Sequence, residues 1–151
     1  DLIGRKVLGS GGKLLMGFTD IIGEFCEANT EEADAQFIAV LKSYKDDWLE
    51  LSLKIGEKAM QNPDEAGAAA VDYLMYSGYV TLAYFWARMA VLARQKIEAA
   101  EGDTAFYHAK VMTARFYFDR LLPRTLAHKQ ALMSGAENLM EMPEALFDVA
   151  G

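Results

Sequence analysis

The sequence has a single cysteine, Cys26, so no internal disulfide framework can hold it together, and a reducing compartment, the cytoplasm, is expected. It has two histidines, His108 and His128, and the residues three positions before them are Ala105 and Thr125. The Glu-x-x-His pairs with which helical bundles grip metal ions are therefore missing, and no cysteine lies near either ring to build a zinc set. Positive charge is also short: 15 Lys and Arg face 22 Asp and Glu, for a formal charge of −7. Such a balance repels nucleic acid and anionic membrane surfaces, and neither is expected as a partner. The longest uncharged run, residues 73–87, is 15 residues long and includes Ser77, Gly78 and Thr81. A bilayer span needs roughly 20 mostly apolar residues, so this run reads as a buried helix. The chain opens at Asp1 with neither an initiator methionine nor a secretory leader, and reads as cut from something longer.

Glycine is concentrated in one place, "VLGSGGKLLMG" from Val7 to Gly17. A phosphate loop needs G-x-x-x-x-G-K-[ST]; here Val7 stands at the first glycine and Leu14 follows Gly12-Lys13. The dinucleotide pattern G-x-G-x-x-G fails as well, with Leu14 at its third glycine. The stretch reads as a break between helical segments.

The remainder is written in helical periods, and the length suits one domain burying roughly 70% of its unfolded surface. A first helix, Leu14 to Glu27, aligns Leu15, Phe18, Ile22 and Phe25. A second, Thr30 to Gln61, aligns Ala33, Phe37, Val40, Tyr44, Trp48, Leu51 and Ile55, with Asn29 or Thr30 as its cap and Glu50 one turn before Lys54. Asn62-Pro63-Asp64-Glu65 starts a third helix, which runs to about Glu101 and ends on a left-handed Gly102. At 1.5 Å per residue it is roughly 55 Å long, and its middle is apolar nearly all round, so more than one face must be covered. Asp103 caps a fourth helix, Thr104 to about Ser134, with Tyr107, Val111, Ala114, Phe118 and Leu121 on one side and Ala109, Met112 and Phe116 on another, both expected buried. Pro123 kinks it near Phe118 to Leu122, and Gly135 ends it. "NLMEMPEALFDV" then supplies a docking turn or short helix. The expected fold is all-α: an up-and-down four-helix bundle of long antiparallel helices with a short C-terminal segment.

Candidate chemistry is sparse. Cys26 has no local base and reads as a small core residue. The pairs Asp46-Asp47 and Glu31-Glu32 point about 100° apart on a helix and read as solvated or capping charges. Lys110, Arg115, Arg120, Arg124 and Lys129 could hold a phosphate-bearing ligand, but pairing with acids of a neighbouring helix is favoured. Tyr73, Tyr76, Tyr79, Tyr84, Phe85 and Trp86 could line a pocket, or form core or an interface. On the residues alone, the chain could be a free-standing helical module that binds a partner helix or an acyl chain, with Met75, Met89 and Met112 as adaptable lining.

"GDTAFYHAKVMTARFYFDRLLPRTLAHKQALMSGAENLMEMPEALF", Gly102 to Phe147, carries marks of a known domain: G-D then A-F-Y and A-K, A-R-F-Y at Ala114 to Tyr117, L-L-P at Leu121 to Pro123, and G-A-E-x-L-M at Gly135 to Met140. It resembles the C-terminal helical domain of the acyl-CoA dehydrogenases, in the branch containing the 3-methylmercaptopropionyl-CoA dehydrogenases. "DLIGRK", Asp1 to Lys6, resembles the D-L-[VI]-G-R-K that follows the catalytic segment there. The resemblance implies a flavoenzyme of fatty acid metabolism that oxidises acyl-CoA to 2,3-enoyl-CoA. A carboxylate takes the α proton, FAD takes the β hydride, and an electron-transfer flavoprotein takes the electrons. The base of that family lies before the D-L-[VI]-G-R-K segment, so the resemblance carries no catalytic, cofactor-binding or metal residue onto this chain. Residues 1–10 would be the trailing end of the catalytic domain and 11–151 a helical bundle domain. That domain would bind no FAD itself and would pack on the catalytic body or across subunits.

Overall fold

Asn62 and Pro63 show how local sequence writes this fold. The Asn62 side chain accepts from the Asp64 N–H at 3.1 Å, and Pro63, which has no N–H to leave unpaired, precedes the first turn of the longest helix. The computed structural model describes residues 2–147 and is all-helical. Asp1 of the D-L-[VI]-G-R-K resemblance, and the Asp148 and Val149 that close the expected C-terminal docking segment, lie outside the described residues.

A π-helical turn, Leu2–Val7, and a short 3-10 turn, Leu8–Ser10, lead into α1 (Lys13–Ala28), close to its expected bounds. Then follow a 3-10 turn (Glu32–Asp34), α2 (Ala35–Gln61), α3 (Asp64–Glu98) and α4 (Thr104–Phe116). After α4 come a π turn (Tyr117–Leu121) and a 3-10 turn (Leu122–Arg124), then α5 (Thr125–Met133), α6 (Glu137–Met140) and a last 3-10 turn, Glu144–Leu146. The π and 3-10 turns around Pro123 are the kink expected in the fourth helix: the proline gives no donor, and the hydrogen-bond ladder changes register around it. Gly135, at φ +83°, follows the end of α5, and an added Cβ would sit 3.3 Å from the Glu65 carboxylate that receives the Ala136 N–H.

α3 is the axis of the molecule. Packed against it are α2, α4, α5 and the Leu2–Val7 turn, while α1 packs on α2 and that same turn. Ile3, Ile22, Leu41, Tyr73, Val80, Ala83 and Leu122 meet in one core. Ile3 and Val7 are buried, so the first turn packs into the helical body.

Four expectations are corrected. Asn29 does not cap α2; its Nδ2 donates back to Phe25 O at 2.7 Å. α2 begins later because Asp34 is drawn inward by Arg94, whose Nε and Nη2 donate to its two carboxylate oxygens at 2.9 and 2.7 Å. α3 ends at Glu98, and Ala100 (φ 52°), two residues before Gly102, takes the left-handed cap position. There the Ala100 N–H reaches Ile97 O and the Glu101 N–H reaches Lys96 O, the paired closure of a Schellman turn. The fourth helix is covered on one side only: Ala114 is buried, as is Phe118, which packs on Phe37 of α2, while Met112 and Phe116 are exposed, because α4 has a neighbour on one face.

Candidate functional site

The residues with reactive potential lie apart. Cys26 is buried, burial pushes its thiol pKa up against the pull of Lys45 and Lys42, and its Sγ lies 3.9 Å from Ile38 O. A thiol held protonated is a poor nucleophile. His128 Nδ1 lies 2.8 Å from Asp72, and the ring stacks on Tyr79, whereas His108 is exposed. Among the described residues no three His, Cys, Asp or Glu come together as metal donors. Asp46 and Asp47 serve separate partners, Lys45 at 2.8 Å and Lys129 at 2.7 Å. The second of these joins α2 to α5, the cross-helix pairing favoured for the basic series; Lys110 lies over the Phe106 ring instead.

The amides of the glycine turn are bonded within it. The Gly11 N–H is bonded to Leu8 O and the Gly12 N–H to Val7 O, both at 2.9 Å, and the Leu14 N–H faces Ser10 Oγ. A dinucleotide pyrophosphate needs such amides free. The Gly11, Gly12 and Leu14 amides are therefore already engaged, and no chemistry through a flavin is derived from this chain.

The aromatic set divides between core and surface. Tyr73, at the centre, receives the Trp48 Nε1–H at 3.1 Å and pairs with Ser52 at 2.6 Å; the Ser52 hydroxyl also lies 2.7 Å from Trp48 O. This closed ring of polar groups fixes α2 on α3. Tyr76 is equally buried, but its hydroxyl has no hydrogen-bond partner among the described residues. Tyr84 is wedged edge-on between Phe18 and Phe25 of α1, and Trp86 stacks on Tyr117.

The surface member, Phe85, leads to an open site, where the pocket or interface reading of the aromatic set finds its place while most of the set is core. It is 45% exposed, and Val71, Leu74, Met75, Leu82, Met89 and Leu92 of the same helix are exposed with it. Of these, Leu74, Leu82, Phe85, Met89 and Leu92 form one wall of a trough whose other wall is α1. In one stretch, of about 480 Å³, Leu14, Phe18 and Trp48 face Leu74, Gly78 and Leu82, and the Leu2–Val7 turn contributes Leu2 and Val7. In the next, also about 480 Å³, Phe25 and Asn29 face Phe85, Met89 and Leu92. Met89 thus lines the trough, whereas Met75 on α3 and Met112 on α4 are exposed outside its lining. The expectation that α3 is covered on more than one face holds for α2 and for α4 with α5, but one apolar stripe is open.

With this geometry in view, comparison with known proteins is decisive. The acetyl-CoA dehydrogenase C-terminal-like family model matches residues 18–143, nearly the whole helical body. The chain belongs to this family. It is also 30% identical over 146 residues to 3-methylmercaptopropionyl-CoA dehydrogenase of Ruegeria pomeroyi, a match covering 93% of this chain and 24% of that relative. This acyl-CoA dehydrogenase C-terminal-like chain therefore spans about a quarter of the length of the curated relative it matches. No helix among the described residues is long and apolar enough to cross a membrane.

Proposed function

We propose that this chain is the C-terminal structural and assembly domain of an FAD-dependent acyl-CoA dehydrogenase, and that by itself it turns over nothing. The parent would oxidise acyl-CoA to the 2,3-enoyl-CoA and hand its electrons to an electron-transfer flavoprotein in the cytoplasm. Residues 1–10 would be the trailing end of the catalytic domain and 11–151 the helical domain, arranged as an up-and-down bundle against the catalytic body and a second subunit. The observation that carries this reading is the family match over residues 18–143, joined to a named dehydrogenase relative roughly four times as long. The geometry agrees with it: the side chains able to do chemistry are dispersed, and the largest uncommitted feature is an apolar surface, which suits assembly.

The test is direct. The purified 151-residue chain should be colourless and should reduce no dye when acyl-CoA is added. A preparation that retains flavin, or dehydrogenation by this chain alone, refutes the reading. A second reading, an acyl chain held in the trough, draws on the Trp48 wall; it requires saturable quenching of tryptophan fluorescence by acyl-CoA or fatty acid.

A further inference from the structure

The exposed stripe on α3 has a regular spacing. Val71, Met75, Gly78, Leu82, Phe85, Met89 and Leu92 follow one another in alternating steps of four and three. That is the 3.5-residue repeat of a seam that takes a second helix laid alongside at a shallow angle, and at 1.5 Å per residue it extends roughly 32 Å. All of the large residues in it are solvent-facing, from 36% exposed at Met89 to 72% at Val71. Within it is Gly78, where an added Cβ would meet open space, so a partner backbone can approach closely. α1 stands off to the side, with Leu14, Phe18 and Phe25 lining the trough. The result is a bundle with the place of one rod left open.

We propose that this trough receives an amphipathic helix from the catalytic portion of the same longer polypeptide, its apolar stripe seated on Leu82 and Phe85. The proposal rests on the reading of the chain as the C-terminal domain of a larger dehydrogenase. That reading supplies the occupant, because about three quarters of the matched relative's length has no counterpart here. Under that reading residues 1–10 end the catalytic domain, and the Leu2–Val7 turn lines one end of the trough, which places that domain beside the trough's mouth. Lys6 and Arg88 line the two stretches and favour acidic residues flanking the seated stripe. A second copy laid on the same stripe is the competing occupant, and the concentration arm of the experiment separates it.

The experiment uses the longer polypeptide that carries this chain. Leu82→Cys and, as control, Met60→Cys on α2 are labelled with a maleimide, and each labelled peptide is quantified by mass spectrometry. Met60 is 88% exposed and Leu82 50%, so exposure within the chain alone predicts rates within about two-fold. A seated helix should slow residue 82 at least ten-fold relative to residue 60, independent of protein concentration. Equal rates overturn the proposal, as does slowing that appears only as concentration rises, which would identify a second copy. Flavin content and acyl-CoA oxidation of the same preparation separate the two readings. A yellow, active protein with residue 82 open refutes only the seated helix, whereas a colourless, inactive one refutes the dehydrogenase reading.

Discussion

Tyr73 and Tyr76 sit one turn apart on α3, both essentially sealed from solvent, yet they should respond in opposite ways to the same edit. Tyr73→Phe removes the acceptor of the Trp48 indole N–H and the partner of Ser52. Stranding a buried indole donor costs about 1–3 kcal/mol, and losing the serine bond adds about 1 kcal/mol. Relief from burying the phenol offsets part of this, leaving a net loss of about 2–3 kcal/mol. For a domain of this size that lowers Tm by roughly 4–12 °C. Tyr76→Phe removes a hydroxyl with no partner, whose burial already costs about 1–3 kcal/mol, so stability should stay unchanged or rise by up to about 1 kcal/mol. Urea unfolding followed by tryptophan fluorescence measures both, since Trp48 lies in the Tyr73 ring of bonds. Ser52→Ala alone and combined with Tyr73→Phe should show a coupling of at least about 0.5 kcal/mol. Equal destabilisation by the two Tyr→Phe changes would refute the argument, because the loss would then follow phenol burial and not hydrogen bonding.

Three further outcomes follow from the same geometry. Burial pushes the phenols of Tyr73, Tyr76 and Tyr117 above their ordinary value of 10, so they stay protonated in the fold while unfolded chains ionise. Stability present below about pH 10 should fall above it by up to about 4 kcal/mol per pH unit, and unfolding midpoints unchanged up to about pH 11 would contradict this. Asp34→Ala strands the Arg94 fork; because that guanidinium also reaches Glu98 and is partly solvated, the loss should be about 2–3 kcal/mol in urea unfolding, and Arg94→Lys, which cannot fork, should also be destabilised. Ala100→Gly removes the cost of a left-handed alanine and should leave thermal unfolding unchanged or raise stability by up to about 1 kcal/mol.

Much of the fold was legible because local rules and tertiary packing agree. The apolar period of α1, the Asn62-Pro63 start, the Asp103 cap, whose Oδ1 accepts from Ala105 and Phe106, and the Pro123 break are all set by residues within a turn or two of where they act. The failures required knowledge of neighbours. The start of α2 at Thr30 was expected from local caps, whereas Arg94, 60 positions away, holds Asp34 inward just ahead of the helix. Met112 and Phe116 read as core because an apolar face does not announce whether anything lies against it. The trough was hidden for the same reason: the four-and-three stepping from Val71 to Leu92 is written in the sequence, but on a helix apolar all round it cannot be told from the stripes that α2 and α4 cover.

One consequence belongs to α3 as the shared axis. Since α2, α4, α5 and the Leu2–Val7 turn all rest on this single rod, while α1 leans on α2, the elements differ in how much of the molecule each can take with it when it detaches. α6 and the final turn bury no residue and can fray without company. A lesion at Ala83 or Ala87, both fully buried on the rod, should instead spread through every layer at once, so that tolerance to sequence change along the chain mirrors distance from that one rod.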